Sequence, residues 1–309
     1  MVDKIIERLT RAIQLNPNNP NAYSKRGSAY SYKEDYNKAI EDFTQAISLD
    51  PNNATYYGWR GSAYYQIKDY DKAIEDLTKA IRIDPNNATY YGWRGSAYYQ
   101  IKDYDKAIED FTRAISLEPH EALSYFWRGN AYYEKKDYDK AIEDYTQAIS
   151  LDPNKAVSYY NRGCACYNQE DYDKGIKDYT QAIYLDPNNT INVNAYHICG
   201  NAHYFKGEHD SAIEGYLQAI NLVSDDVEKL YLNGKVYLCK REYDKAIKNF
   251  TQAIQSNPNH CGYYYWRGKA YYGKGDHNKA HIDYDTVLQL NKDNYYTSLA
   301  RKELEGLEK

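Results

Sequence analysis

Apolar and polar positions alternate along this chain in two helical registers. Tyr57, Arg60, Gly61 and Tyr64 recur at i, i+3, i+4 and i+7, which places them on one face of a first helix. A second stripe, Ala73, Leu77, Ala80 and Ile81, marks the inward face of a following helix, and Asp69-Tyr70-Asp71 makes the turn between the two. Tyr70 plugs the hairpin end. Asn53 and Asn87 stand where N-caps belong, and Pro51, Pro85, Pro119, Pro153, Pro187 and Pro258 stop each preceding helix. Small Ala73 and Gly61 let the two backbones cross closely.

This helix pair repeats. Gly27, Gly61, Gly95, Gly129 and Gly163 stand 34 residues apart, and after a three-residue insertion Gly200, Gly234 and Gly268 resume the spacing. A unit of that length cannot bury its own apolar face and must lean on its neighbours, so the pattern predicts a solenoid of stacked helical pairs. Residues 51–84 and 85–118 differ at only five positions, the mark of near-copies.

The recurring order of aromatic, small Gly, Ala and Tyr, then Ala, Phe or Tyr, Ala and Pro resembles the tetratricopeptide repeat. On that resemblance the fold is all-α, a right-handed superhelical solenoid of antiparallel helix pairs with peptide binding in a groove lined by the first helices. The expected organisation is an N-terminal half-repeat helix over 1–19, eight repeats over 20–53, 54–87, 88–121, 122–155, 156–189, 190–226, 227–260 and 261–294, and a capping helix over 295–309.

Comparison between the copies adds a feature of this chain. Arg26, Arg60, Arg94, Arg128, Arg162 and Arg267 precede the marker glycine in six repeats, and 16 positions later those repeats carry Asp42, Asp76, Asp110, Asp144, Asp178 and Asp283. The repeats with Cys199 and Asn233 in the arginine's place hold Gly215 and Asn249 in the aspartate's. Joint presence and joint loss predict an Arg-Asp pair joining the two helices of each of the six units.

The other side of the first helix presents Thr55, Gly58, Trp59, Ser62, Tyr65 and Gln66, and the resemblance puts this side in the groove. Matching positions along the array are Trp59, Trp93, Trp127 and Trp266, then Tyr65, Tyr99, Tyr133, Tyr167, Tyr204 and Tyr272. Small Gly58, Ser62, Gly92 and Ser96 leave room around the rings. Rigid aromatics beside small residues suit an extended peptide, and the same rings also suit packing between successive first helices. Lys235 and Lys269, near Tyr231, Tyr265 and Trp266, are either contacts for an acidic partner or solvated lysines. The chaperone-tail variety of the family needs a lysine where this chain has Ser24, Gly58, Gly92, Phe126, Tyr160, His197, Tyr231 and Tyr265, so that specificity is not expected. Nor is the asparagine ladder of the glycosyltransferase-linked members, with only Asn161 at that place.

The N-terminus is out of phase. Ile5, Leu9, Ala12 and Ile13 match the second helix of a repeat, leaving an apolar edge open to self-association. At the far end Tyr296, Ala300, Leu304 and Leu307 mark the capping helix. Between Pro187 and Gly200 the insertion marks either a seam or a first helix lengthened by nearly one turn.

Thirty-nine tyrosines against five phenylalanines show that aromatic packing carries much of the burial. A net charge of -5 gives no basic footprint for nucleic acid or anionic membrane, and no stretch reaches the ~20 apolar residues of a membrane span. Five cysteines, Cys164, Cys166, Cys199, Cys239 and Cys261, read as reduced thiols of a cytoplasmic protein. No phosphate loop, nucleophile elbow or dinucleotide fingerprint occurs, and His277 with His281 lacks a third metal ligand. No cofactor or metal is expected. The reading is a non-enzymatic adaptor that holds a protein or peptide partner, with a self-associating spacer and the regulatory arm of a larger protein as alternatives.

Overall fold

A computed structural model describes residues 2–187, 191–290 and 295–307. Among the described residues all regular structure is helical, in two compact units, Met1–Pro153 and Asn154–Lys309. The first unit holds α1 (Val2–Leu15) and the pairs α2 (Pro20–Tyr32) with α3 (Tyr36–Leu49), α4 (Ala54–Gln66) with α5 (Tyr70–Ile83), α6 (Ala88–Gln100) with α7 (Tyr104–Leu117), and α8 (Ala122–Glu134) with α9 (Tyr138–Leu151). The second holds α10 (Ala156–Asn168) with α11 (Tyr172–Leu185), α12 (Ile191–Phe205) with α13 (His209–Leu222), α14 (Asp226–Cys239) with α15 (Tyr243–Ser256), α16 (Cys261–Lys274) with α17 (His277–Leu290), and then α18 (Tyr295–Leu307).

Local chemistry sets the boundaries. The Asn53 side chain accepts from the Thr55 N–H at 3.1 Å, and Asp69 caps α5 by accepting from the Lys72 N–H at 3.3 Å. Between them Lys68 takes the left-handed conformation at φ 64°, which lets the chain reverse in three residues. A Cβ on Gly61 would lie 2.8 Å from Leu77, so the marker glycine is where the two helices of a pair cross most closely. Within the first unit the first helices also touch one another across repeats, α2 with α4, α4 with α6 and α6 with α8, and so line its inner side.

The arginines tie three helices, not two. Arg94 on α6 donates from Nε and Nη2 to Asp110 on α7, at 2.8 and 2.7 Å, and from Nη1 to Thr78 Oγ1 on the preceding α5 at 3.0 Å. Arg26, Arg60, Arg128 and Arg267 make the same fork to Asp42, Asp76, Asp144 and Asp283 and reach back to Thr10, Thr44, Thr112 and Thr251. Arg162 grips Asp178 in the same way. The Arg94 guanidinium lies between the Tyr91 and Tyr98 rings, 5.8 and 5.9 Å from their centroids, which explains why a tyrosine stands at i−3 of all six arginines and at i+4 of all but Arg162, where Cys166 takes the place. Asp110 is only 3% exposed, and burial raises its carboxyl above the usual range although the arginine beside it pulls the other way.

Where the clamp is missing, something else fills its place. A Cβ on Gly215 would lie 3.1 Å from the Tyr196 carbonyl, so α12 and α13 approach backbone to backbone there. Asn233 and Asn249 turn back to the Lys229 and Lys245 carbonyls of their own helices, at 2.8 and 2.9 Å.

The division of the chain falls at Pro153 and not at the insertion, and α11 packs on α12 inside the second unit. Residues 188–190 of the insertion lie outside the described residues. The helix expected to cap the array packs on α17, but its side chains also reach α10, α14 and α16. At the N-terminus α1 packs on α2 with Ile13 buried and Ile5 exposed.

Candidate binding grooves

The inner side of the first unit is built from α2, α4, α6 and α8, and its shape is decided by one position per repeat. Tyr56 on α4 is buried and donates from its hydroxyl to Asn21 at 3.0 Å, and Tyr90 holds the matching place on α6. The Tyr90 ring fills the space over Gly58, where an added Cβ would lie 2.5 Å away. In the next repeat that place is Ser124, which has no ring. Gly92 therefore has nothing within 4 Å of where its Cβ would be.

The result is a recess of about 190 Å³ with Gly92 at its floor, Trp93 and Trp127 as walls, and Leu123, Ser124, Glu118 and Glu121 around it. At ~30 Å³ per water molecule it has the volume of one large side chain. A second recess of about 230 Å³ is lined by Ser62, Tyr65, Gln66, Trp93, Ser96 and Trp127 and shares Trp93, Ser96 and Trp127 with the first. Leu123 is 54% exposed at the edge, and two carboxylates stand at the rim. Glu121 is also the N-cap of α8, accepting from the Ser124 N–H at 2.7 Å.

The expected groove aromatics divide in this unit. Trp93 and Trp127 wall both recesses. Trp59 is packed against Phe43, 5.8 Å between centroids, and against Tyr56, so it belongs to the contact between repeats. Tyr65, Tyr99 and Tyr133 each set an edge against the tyrosine that plugs the hairpin, Tyr70, Tyr104 and Tyr138, at 5.5 Å. Tyr99 also lies 5.5 Å from Trp127, and burial pushes its hydroxyl up to about 12. Gly58 leaves room for Tyr90 and not for a ligand.

The second unit is different. The place of Gly58 and Gly92 is taken by Tyr160, His197, Tyr231 and Tyr265, and the expected groove residues are enclosed. Trp266 is fully buried, with Tyr204 at 4.9 Å and Phe205 at 5.8 Å. Tyr167 is 5% exposed and lies 5.3 Å from Tyr295 of α18. Tyr272 stays at the surface against His277.

Both lysines offered as partner contacts are already engaged. Lys269 donates to Glu303 of α18 at 2.9 Å. Lys235 is not solvated at all: it is fully buried, donates to Asn201 Oδ1 at 2.8 Å and to His197 Nε2, and lies 4.3 and 4.4 Å from the Tyr231 and Trp266 ring centroids. Desolvation pushes its amine well below the usual lysine range. Burial, with the Lys235 charge beside it, holds the His197 imidazole well below its ordinary value, so His197 serves as the acceptor. Its other nitrogen faces Glu228 at 3.7 Å. Burial likewise pushes the Cys166 thiol up to about 11 and the Cys239 thiol up to about 12, away from thiolate chemistry.

Family profiles for the tetratricopeptide repeat match residues 24–88, 122–155, 156–189 and 261–294, and a TPR repeat profile matches 95–136 and 234–275. The chain belongs to the tetratricopeptide repeat family. No curated protein matches it. Among solved structures it is similar to MamA, with 30% identity over 54% of this chain and 92% of that one at a TM-score of 0.51. YrrB, described as a TPR protein with an unusual peptide-binding site, is 23% identical over 62% of this chain and 98% of that one, TM-score 0.53. The Cut9-Hcn1 hetero-tetramer of APC/C matches 87% of this chain and 52% of that one at 18% identity, TM-score 0.59. The last two carry the fold alone.

Reading this tetratricopeptide array from sequence located Trp93 and Trp127 but missed Leu123, Ser124, Glu118 and Glu121. The signal was present: serine at 124 breaks the Tyr56, Tyr90 series. The threonine arm of each clamp was equally available, since a threonine stands 16 positions before each of the arginines that reach back to one. Among the described residues no cluster could hold a metal ion, and no helix is long and apolar enough to cross a membrane.

Proposed function

We propose that this tetratricopeptide protein is a non-enzymatic interaction scaffold whose first unit binds a protein segment, seating one large apolar side chain over Gly92 between Trp93 and Trp127. The recess left by Ser124 carries the reading. It is lined by two half-buried indoles, which give large contact area at low entropic cost, and it has one-side-chain volume. Glu118 and Glu121 at its rim favour a lysine or arginine next to the seated residue, where the opposite sign speeds encounter and fixes register. YrrB offers a precedent in the same fold for peptide binding.

Panning a random peptide library against the chain tests this. Enriched peptides are expected to carry a large apolar residue flanked by basic ones. Ser124→Tyr rebuilds the ring that fills the equivalent place in the repeat before and should weaken such peptides at least tenfold, as should Trp93→Ala. Peptides that bind both variants as tightly as the unaltered chain refute the assignment.

A further inference from the structure

The second unit already contains a ligand, its own C-terminal helix. α18 presents two rows of side chains, each an aromatic followed two turns later by a charge. Tyr295 lies against Tyr167 of α10 at 5.3 Å, and Lys302 pairs with Glu170 just beyond that helix. Tyr296 meets the Tyr231 hydroxyl of α14 at 3.0 Å and the Tyr265 ring of α16 at 5.5 Å, and Glu303 accepts from Lys269 at 2.9 Å. Residues i and i+7 share a face of a helix, so one side of α18 carries both rows. The positions they touch, Tyr167, Tyr231, Tyr265 and Lys269, belong to the first helices, the same side that stays open in the first unit.

The fit is incomplete. The hydroxyls of Tyr167 and Tyr295 and the indole N–H of Trp266 are buried without a hydrogen bond of good geometry, which disfavours the closed arrangement. Lys302 and Glu170 are both more than half exposed, where an ion pair adds little. The helix thus carries complementary chemistry, with Thr297, Leu299 and Ala300 buried but its polar contacts incompletely satisfied.

We propose that α18 is a displaceable cis-ligand, and that the groove beneath it takes in trans a partner helix of the same chemistry: two adjacent aromatic residues followed seven positions on by a basic and an acidic residue. Occupation in cis lowers the apparent affinity for any such partner by the fraction of chains in which the groove is free. The site is distinct from the Gly92 recess and stands or falls independently of it.

The test uses full-length chain and a fluorescein-labelled peptide of residues 295–307. Tyr295→Ala with Tyr296→Ala should free the groove, and the doubly altered chain is expected to bind the peptide at least tenfold more tightly than the unaltered one. Adding Lys269→Glu should remove that gain, while Trp93→Ala, in the other groove, should leave it. Equal affinity for altered and unaltered chains, or none for either, overturns the proposal. Hydrogen exchange on the unaltered chain decides the matter even if the double variant does not fold: α18 amides should exchange at least tenfold faster than those of α14 and α16. Protection of α18 as deep as theirs makes it a permanent core element and overturns the proposal.

Discussion

The two units are built from one repeat, yet one groove is open and the other is filled. In the first, Gly58 and Gly92 keep the inner side low, and the one place where no tyrosine covers a glycine becomes a recess. In the second, Tyr231 and Tyr265 stand at the glycine's position and, with Trp266, form a buried cluster that receives Tyr296. The lesson is that groove chemistry in such an array is set by one or two positions per repeat, while the crossing glycine recurs in all eight repeats and the clamp in six. Small residues leave space for a guest. Large ones call for a host's own helix.

The largest effect expected from breaking this constancy is in the clamp. Asp110→Ala leaves the Arg94 guanidinium between two tyrosine rings with only Thr78 as a hydrogen-bond partner, and should cost about 3–5 kcal/mol, the range for removing one partner of a buried pair. Asn249→Ala, in a repeat without the clamp, removes only a bond to its own helix and should stay within about 0.5 kcal/mol. Urea unfolding of the two variants measures the contrast. A loss below about 1 kcal/mol for Asp110→Ala would return the pair to the class of surface ion pairs.

Next is the amine inside the second unit. Lys235 is buried among Tyr216, Tyr231 and Trp266, and Asn201 Oδ1 keeps a partner without it, since the Tyr216 hydroxyl donates there at 3.0 Å. Lys235→Met keeps the volume and removes the desolvated amine but leaves the buried His197 Nε2 without its donor, so two opposing contributions set its stability at neutral pH and the pH dependence carries the test. The folded-state amine lies below its unfolded value of 10.5, so between the two the unfolded chain binds more protons and the lysine's contribution to stability rises with pH. The stability of Lys235→Met relative to the unaltered chain should therefore fall as pH rises toward 10.5. A relative stability that rises over that range contradicts the assignment of burial as the cause.

Much of this molecule was legible in its sequence because the period multiplies every signal. Eight glycines at fixed spacing, capping asparagines before the first helix and aspartates before the second define elements that the physics of one repeat would leave ambiguous. The site was legible in part. Trp93 and Trp127 were singled out because they recur at matching positions on the side of the first helices that the family resemblance puts in the groove, whereas Ser124 was missed because it matters for the ring it lacks. Lys235 was misread because polar residues in a helical pattern default to solvent, and nothing local announces that His197, Tyr216 and Trp266 of three other helices enclose it. Long-range closure of that kind is not encoded in periodicity.

The smallest effect is the most direct probe of why one groove is open, because two glycines in near-identical helices should respond with opposite signs. Gly92→Ala adds a methyl into free space and replaces the poorest non-proline helix former with the best, which should stabilise by up to about 1 kcal/mol. Gly58→Ala offers the same gain, but its methyl would arrive 2.5 Å from the Tyr90 ring, which is 5% exposed. Overpacking of this kind costs about 1–3 kcal/mol, so the net change should be destabilising. Adding Ser124→Tyr to Gly92→Ala should reverse the sign at the second site, because the new ring would occupy the space the methyl needs. If both alanines stabilise equally, Tyr90 does not seal its repeat, and the recess over Gly92 owes nothing to Ser124.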